Sequence, residues 1–182
     1  SKINFNQVSY YMKNGIKDIL LRFVKNGWIP KYDDEGKTII ALERFGENIT
    51  LEPGGQIELS GAQLNNIHQT CTETSRHLKE LKEIGEEFDF ILLGLGVEPS
   101  LLLDDFPWMP KQRYDIMKNY MPTVGSLGHH MMKRTCTNQV NLDFFSEDDM
   151  KKKYRLMLNL EGIATAIFAN SPFDNKKISK YK

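Results

Sequence analysis

The chain runs to 182 residues, 40% hydrophobic and 26% charged, the balance of an ordinary globular domain that buries a real core. Lys+Arg and Asp+Glu stand at 24 each, which excludes a global field that would steer nucleic acid or an anionic membrane. The longest apolar run, Phe88 to Val97, is broken by Asp89 and two glycines and is too short to span a bilayer.

Taken in chain order, Phe5 to Lys25 places Val8, Met12, Ile16, Ile19, Leu20 and Phe23 at helical spacing, and Gly27 with Pro30 stops the run. Thr38 to Arg44, Ile49 to Glu52 and Gln56 to Ser60 are rich in β-branched residues and set apart by glycines, the pattern of a meander. Within the last of these, Ile57 and Leu59 face one side while Gln56, Glu58 and Ser60 face the other. Leu64 to Phe88 reads as a long helix burying Leu64, Ile67, Cys71, Leu78, Leu81, Ile84 and Phe88.

Phe90 to Val97 reads as an apolar strand. Gln112 to Met121 and Leu127 to Met132 read as short helices separated by Pro122 and Gly125, and Arg134 to Phe144 as a strand. Ser146 opens the last helix, with Asp149 three residues on in a capping-box arrangement. Its apolar stripe is Met150, Tyr154, Met157, Leu160, Ala164, Ile167 and Phe168. Strands arriving in hairpin-like pairs favour an α+β fold with an antiparallel sheet over a doubly wound parallel one. No repeat or linker divides the chain, so residues 1–182 read as one unit. Both ends read as cut from a longer protein.

Three stretches put charge or polarity into otherwise core-like sequence: Leu51 to Ser60, Met109 to Met121 and Thr135 to Asp143. Unpaired charge in a core is costly, so such rows usually meet a ligand, a metal or each other. Glu52 and Glu58 flank a Pro-Gly-Gly turn. They are either ligands for Mg²⁺, which takes one or two carboxylates plus substrate phosphates, or solvated acids on an exposed hairpin. Arg113 and Arg134 each grip a carboxylate bidentately or form a surface salt bridge. Thr137, Gln139, Asn141 and Asp143 line either a pocket or a solvated sheet face.

Other chemistries find little support. His68, His77, His129 and His130 make no HxxxH pair, so a zinc site is not expected. Gly94 and Gly96 form only GxG, and neither a Walker A sequence nor a Ser-His-Asp motif is present. Cys71 and Cys136 are the two cysteines, both expected as buried thiols that do not bridge each other. Such sparse cysteine usage fits a reduced, cytoplasmic setting.

These same stretches resemble a known family, the plant and proteobacterial type of glutamate–cysteine ligase (γ-glutamylcysteine synthetase). The resemblance is carried by LEPGGQIELSGA (51–62), HQTC (68–71), MPKQRYDIMKNYMP (109–122), VGSLG (124–128), MMKRTCTNQVNLD (131–143), SEDDM (146–150) and IATAIFANSPF (163–173). It runs in register over nearly the whole chain. It implies a carboxylate–amine ligase with a glutamine-synthetase-like antiparallel sheet, helices packed on one side, and a catalytic domain of which this chain is a part. Glu52 and Glu58 match the acidic motif that holds Mg²⁺. Arg113 matches the arginine that holds an amino-acid substrate, with Tyr114 and Arg134 as further substrate-binding candidates. Gln139 and Asn141 match the active-site strand and join Arg113 as catalytic candidates.

The implied reaction uses ATP as a substrate to phosphorylate the γ-carboxylate of glutamate, and the amine of cysteine attacks the acyl phosphate. The expected partners are thus glutamate, cysteine and ATP, with no nucleic acid and no membrane. A plastid is the expected location if the source is plant-like. The family also uses an acidic strand before the matched region, a nucleotide half after it, and, in plants, the cysteine matching Cys71 in a regulatory disulfide. Two other readings stay open: a catalytically silent amino-acid-binding domain, and a γ-glutamyl ligase with a different amine acceptor.

Overall fold

The computed structural model describes residues 7–178. They fall into two compact units, one of the residues before 94 together with Leu103–Arg134, the other of Gly94–Leu102 and the residues from Thr135 on.

The first unit is built on a four-stranded antiparallel meander: β1 (Ile29–Tyr32), β2 (Ile39–Arg44), β3 (Glu47–Leu51) and β4 (Ile57–Ser60), hydrogen-bonded in that order. The pairing sets Leu42 opposite Ile49 and Ile49 opposite Leu59, so one sheet face is an apolar row. Thr50 lies opposite Glu58 on the other face, as the alternation of β4 requires. Helices α1 (Ile16–Lys25) and α2 (Ile67–Phe88) complete the core, where Phe23, Leu20, Leu42, Ile49 and Ile84 are wholly buried. The α+β class and the β2–β4 meander are therefore as expected from sequence, and β1, which contains Pro30, adds a fourth strand to them.

The helices differ from the sequence reading in instructive ways. The helix expected over Phe5 to Lys25 begins only at Ile16; Phe5 itself lies outside the described residues. Ahead of it the chain curls back, with Asn14 at φ 55° and the Ile16 amide donating to the Ser9 carbonyl at 3.1 Å. A Cβ on Gly15 would sit 2.5 Å from that same carbonyl oxygen, so this turn requires glycine. Tyr10 is thereby buried, its hydroxyl donating to the Ile39 carbonyl at 2.7 Å.

Helix α2 is present but rotated. It buries Glu73, His77, Leu81 and Ile84, while Ile67 and Leu78 are exposed. In its first half Glu73 faces inward, its carboxylate accepting the Ala62 amide at 2.8 Å just beyond β4, while Leu81 and Ile84 are buried as expected. Two residues before Glu73, about 200° around a helix, Cys71 is exposed rather than buried. Asn66 caps the helix start by accepting the Gln69 amide, and Asp89 closes its end in the left-handed conformation.

Helix α3 (Gln112–Val124) runs through Pro122 instead of stopping before it. Proline lacks the N–H that would bond the carbonyl four residues back, and that carbonyl, of Lys118, is met by His129 Nε2 at 2.9 Å. His129 comes from α4 (Gly128–Arg134), which ends in buried Met132, Lys133 and Arg134.

Neither Phe90 to Val97 nor Arg134 to Phe144 forms the expected strand; only Val97 and Thr135, both in the second unit, pair, as an isolated bridge. Gly96 does bond on both sides, donating to Asn170 at 3.2 Å and accepting from Cys136 at 2.9 Å. The ladder stops there, and Val140 and Leu142 are both exposed. Alternation alone does not make a strand where no neighbour continues the pairing. Cys136 is likewise exposed and free rather than a core thiol. Helix α5 (Glu147–Phe168) starts on Ser146, whose hydroxyl accepts the Asp149 amide at 3.2 Å. Asp149 returns its carboxylate to the Phe145 amide at 3.1 Å, one residue earlier than the expected reciprocal bond. None of the residues in α5 is buried, and its expected apolar stripe is exposed apart from the half-buried Met150. A short hairpin, β5 (Phe173–Asp174) with β6 (Lys177–Ile178), follows.

Candidate functional site

The Pro53-Gly54-Gly55 turn between β3 and β4 is shaped by close approach, not only by chain reversal. A Cβ on Gly54 would lie 2.2 Å from the Lys133 carbonyl oxygen, so only glycine lets the turn sit against the end of α4. Gly55 has φ +92°, the region that favours glycine, and faces Ile16 and Met109. The turn closes on itself: the Glu52 amide donates to Gln56 and the Gly55 amide donates to the Glu52 carbonyl, both at 2.9 Å. Gln56 Nε2 ties it to α4 through the Met132 carbonyl at 3.3 Å.

This turn brings Glu52 to Glu58, whose carboxyl groups hydrogen-bond each other. Burial pushes the Glu52 carboxyl above its usual range, and the hydrogen bond and charge of Glu58 push it further the same way. Lys111 and Arg113 pull in the opposite direction. Burial also lowers the Lys111 ammonium, against the attraction of Glu52. It raises Tyr114 to about 12, with the Glu52 charge adding to the rise. Four sequence-predicted site residues therefore come together: Glu52, Glu58, Arg113 and Tyr114. Arg113 is exposed on the first turn of α3. Tyr114 is buried with its hydroxyl on the Leu51 carbonyl.

Arg134 is buried at the end of α4, with Nη1 3.3 Å from His130 Nδ1. Gln139 and Asn141 belong to the second unit, exposed in a stretch without regular secondary structure. Lys111 was missed as a site residue. The signal was its place in the Met-Pro-Lys loop two residues before Arg113, which reads in sequence only as a polar loop position.

Two carboxylates that share a site and repel when both ionised suit a hard divalent cation completed by substrate oxygens. Among the described residues no group of three or more His, Cys, Asp or Glu assembles into a fuller metal cage. The neighbouring Arg113 adds a guanidinium fork for a carboxylate. Charge of both signs is thus set at one turn, an arrangement suited to an anionic substrate held beside a cation. Among the described residues no helix is long and apolar enough to cross a membrane.

Comparison with known proteins matches residues 2–182 to the model of the glutamate-cysteine ligase family 2. The chain is 52% identical over 170 residues to rice (japonica) glutamate–cysteine ligase A, chloroplastic, covering 91% of this chain and 35% of that protein. It is 57% identical over 143 residues to the Arabidopsis thaliana chloroplastic glutamate–cysteine ligase, covering 79% of this chain and 27% of that protein. With the chloroplastic enzyme of Nicotiana tabacum it shares 56% identity over 147 residues, 81% of this chain and 28% of the relative. The chain thus spans about a third or less of the length of these relatives.

Proposed function

The chain belongs to the glutamate-cysteine ligase family 2, and from that premise we propose that it supplies the acidic, amino-acid-binding part of an ATP-dependent glutamate–cysteine ligase in glutathione biosynthesis. The observation that carries this reading is the Glu52–Glu58 carboxylate pair set against Arg113 and Lys111. The γ-carboxylate of glutamate attacks the terminal phosphorus of ATP, giving an acyl phosphate and ADP. The cysteine amine then attacks the acyl carbon, forming the amide, expelling phosphate and shedding a proton.

Glu52 and Glu58 would hold Mg²⁺, which when bound offsets the charge of the transferring phosphoryl group. Arg113 grips the α-carboxylate of an amino-acid substrate and orients it. We assign Tyr114 and Arg134 to the substrate side, and Gln139 and Asn141 to the reaction. Residues 1–182 are taken as part of one catalytic domain with a glutamine-synthetase-like sheet. The chloroplastic names of the relatives favour a plastid over the cytosol.

The test is Glu58→Gln in the full-length protein, followed by ADP release with glutamate and a panel of amines. Loss of most cysteine-dependent turnover with the fold intact is expected, because the amide keeps the shape and loses the charge. An unchanged Mg²⁺ dependence would remove Glu58 from the metal site. A faster reaction with another amine would reassign the acceptor.

A further inference from the structure

Three hydrogen bonds converge on the carbonyls that flank Glu52. The Met109 amide donates to the Pro53 carbonyl at 2.9 Å. Lys111 Nζ donates to the Leu51 carbonyl at 2.9 Å, and the Tyr114 hydroxyl donates to that same oxygen. Lys111 Nζ also lies 3.5 Å from the Tyr114 hydroxyl and 5.2 Å from the centre of its ring. One six-residue segment therefore grips the peptide on either side of a single carboxylate. The Leu51 side chain is itself buried at 1% exposure, so the residue before Glu52 is anchored in the core while its carbonyl is held by two donors.

We propose that Lys111 and Tyr114 are positioning residues that hold Glu52 in the geometry needed to share a divalent cation with Glu58. The proposal rests on the metal role assigned to that pair. A carboxylate on a free turn would swing on three side-chain bonds plus the backbone. Fixing the backbone carbonyl just before it leaves only the side chain to order when the cation arrives, and outer-shell partners of this kind set ligand orientation. Lysine suits the task because its ammonium offers several donors from a flexible stem, reaching the Leu51 carbonyl and the tyrosine hydroxyl together. The three bonds tie the Met109-Pro110-Lys111 loop to the Leu51-Glu52-Pro53 turn, which lies far from it in the chain.

The experiment measures the Mn²⁺ dissociation constant of the full-length protein by electron paramagnetic resonance, alongside kcat and KM for glutamate. The variants are Lys111→Met, Lys111→Arg, Tyr114→Phe and Glu58→Gln. Lys111→Met is expected to weaken Mn²⁺ about 10- to 100-fold, the range for loss of an outer-shell partner. Lys111→Arg, which restores a charged donor, should recover most of that loss. Tyr114→Phe keeps the buried ring and should weaken Mn²⁺ in the same direction, which serves if Lys111→Met fails to fold. Mn²⁺ affinity unchanged or tighter in both Lys111→Met and Tyr114→Phe overturns the positioning role. Mn²⁺ affinity unchanged in Glu58→Gln overturns instead the metal reading on which it stands.

Discussion

Removing the carboxylate of Glu80 is expected to cost about 3 kcal/mol of stability, the lower end of the 3–5 kcal/mol for stranding a buried charge. Arg44 is only 9% exposed and holds Glu80 through two parallel bonds of 2.8 Å. Its Nε reaches Glu47 at 3.3 Å, Nη1 reaches the Asn26 carbonyl at 3.2 Å, and the guanidinium lies 4.3 Å from the Trp28 ring centre. In Glu80→Leu the guanidinium keeps Glu47 and the Asn26 carbonyl, so part of its charge stays compensated and the lower end applies. The Trp28 indole also loses its 3.3 Å acceptor. The informative comparison is the double variant Arg44→Met with Glu80→Leu. Glu47 still has Arg76, which bonds both of its carboxylate oxygens at 2.7 Å, so removing Arg44 does not strand it. The double variant should therefore be more stable than Glu80→Leu alone, with a coupling of at least about 1 kcal/mol. Urea denaturation followed by tryptophan fluorescence reads this, since Trp28 and Trp108 both lie in the first unit. A Glu80→Leu cost below about 1 kcal/mol, or additivity of the two changes, would refute the view that this network ties α2 to the sheet.

Three further outcomes are expected. His77 is buried against Phe23, its rings stacked at 5.9 Å, and burial lowers its pKa despite the nearby Glu80 and Glu47. The unfolded chain then binds a proton first on acidification, so stability is full above about pH 6.5 and falls as pH drops toward the depressed value. His77→Phe should flatten that slope, and equal slopes in the two proteins would show that His77 does not titrate as argued. Phe45 and Gly46 occupy the β2–β3 turn at φ 52° and 84°, a conformation that disfavours phenylalanine. Phe45→Asn should raise stability by up to about 1 kcal/mol, and a lowered melting temperature would mean that the Arg44 and Arg76 contacts with the ring outweigh backbone strain. In the full-length protein Arg113→Lys keeps the charge and loses the fork, so amino-acid binding should weaken by roughly 1.5–3 kcal/mol, about ten- to a hundredfold. Unchanged binding of glutamate and cysteine by calorimetry would make Arg113 structural.

Local physics was legible in the chain. The β2–β4 meander follows from alternation and intervening glycines, and the same period of two put Glu58 on the face away from Ile57 and Leu59. Ser146 capping α5 rests on a short-range hydrogen bond. Only the tertiary structure decided which stripe of α2 turns inward, because Glu73 bonding Ala62 and the Arg44–Glu80 pair outrank the apolar count of the helix. It likewise decided that Pro122 stays inside α3, since His129 arrives from another helix to satisfy the carbonyl the proline leaves free. Residues Arg134 to Phe144 have strand-like alternation, yet ladder bonds come from a neighbour and not from the alternating chain itself. For the site, the sequence named the carboxylates and Arg113 by type and position. The role of Lys111 depends on a carbonyl sixty residues earlier in the chain. Periodicity reports which face a residue shares with its neighbours in sequence, whereas a hydrogen bond between distant segments exists only once the chain has folded.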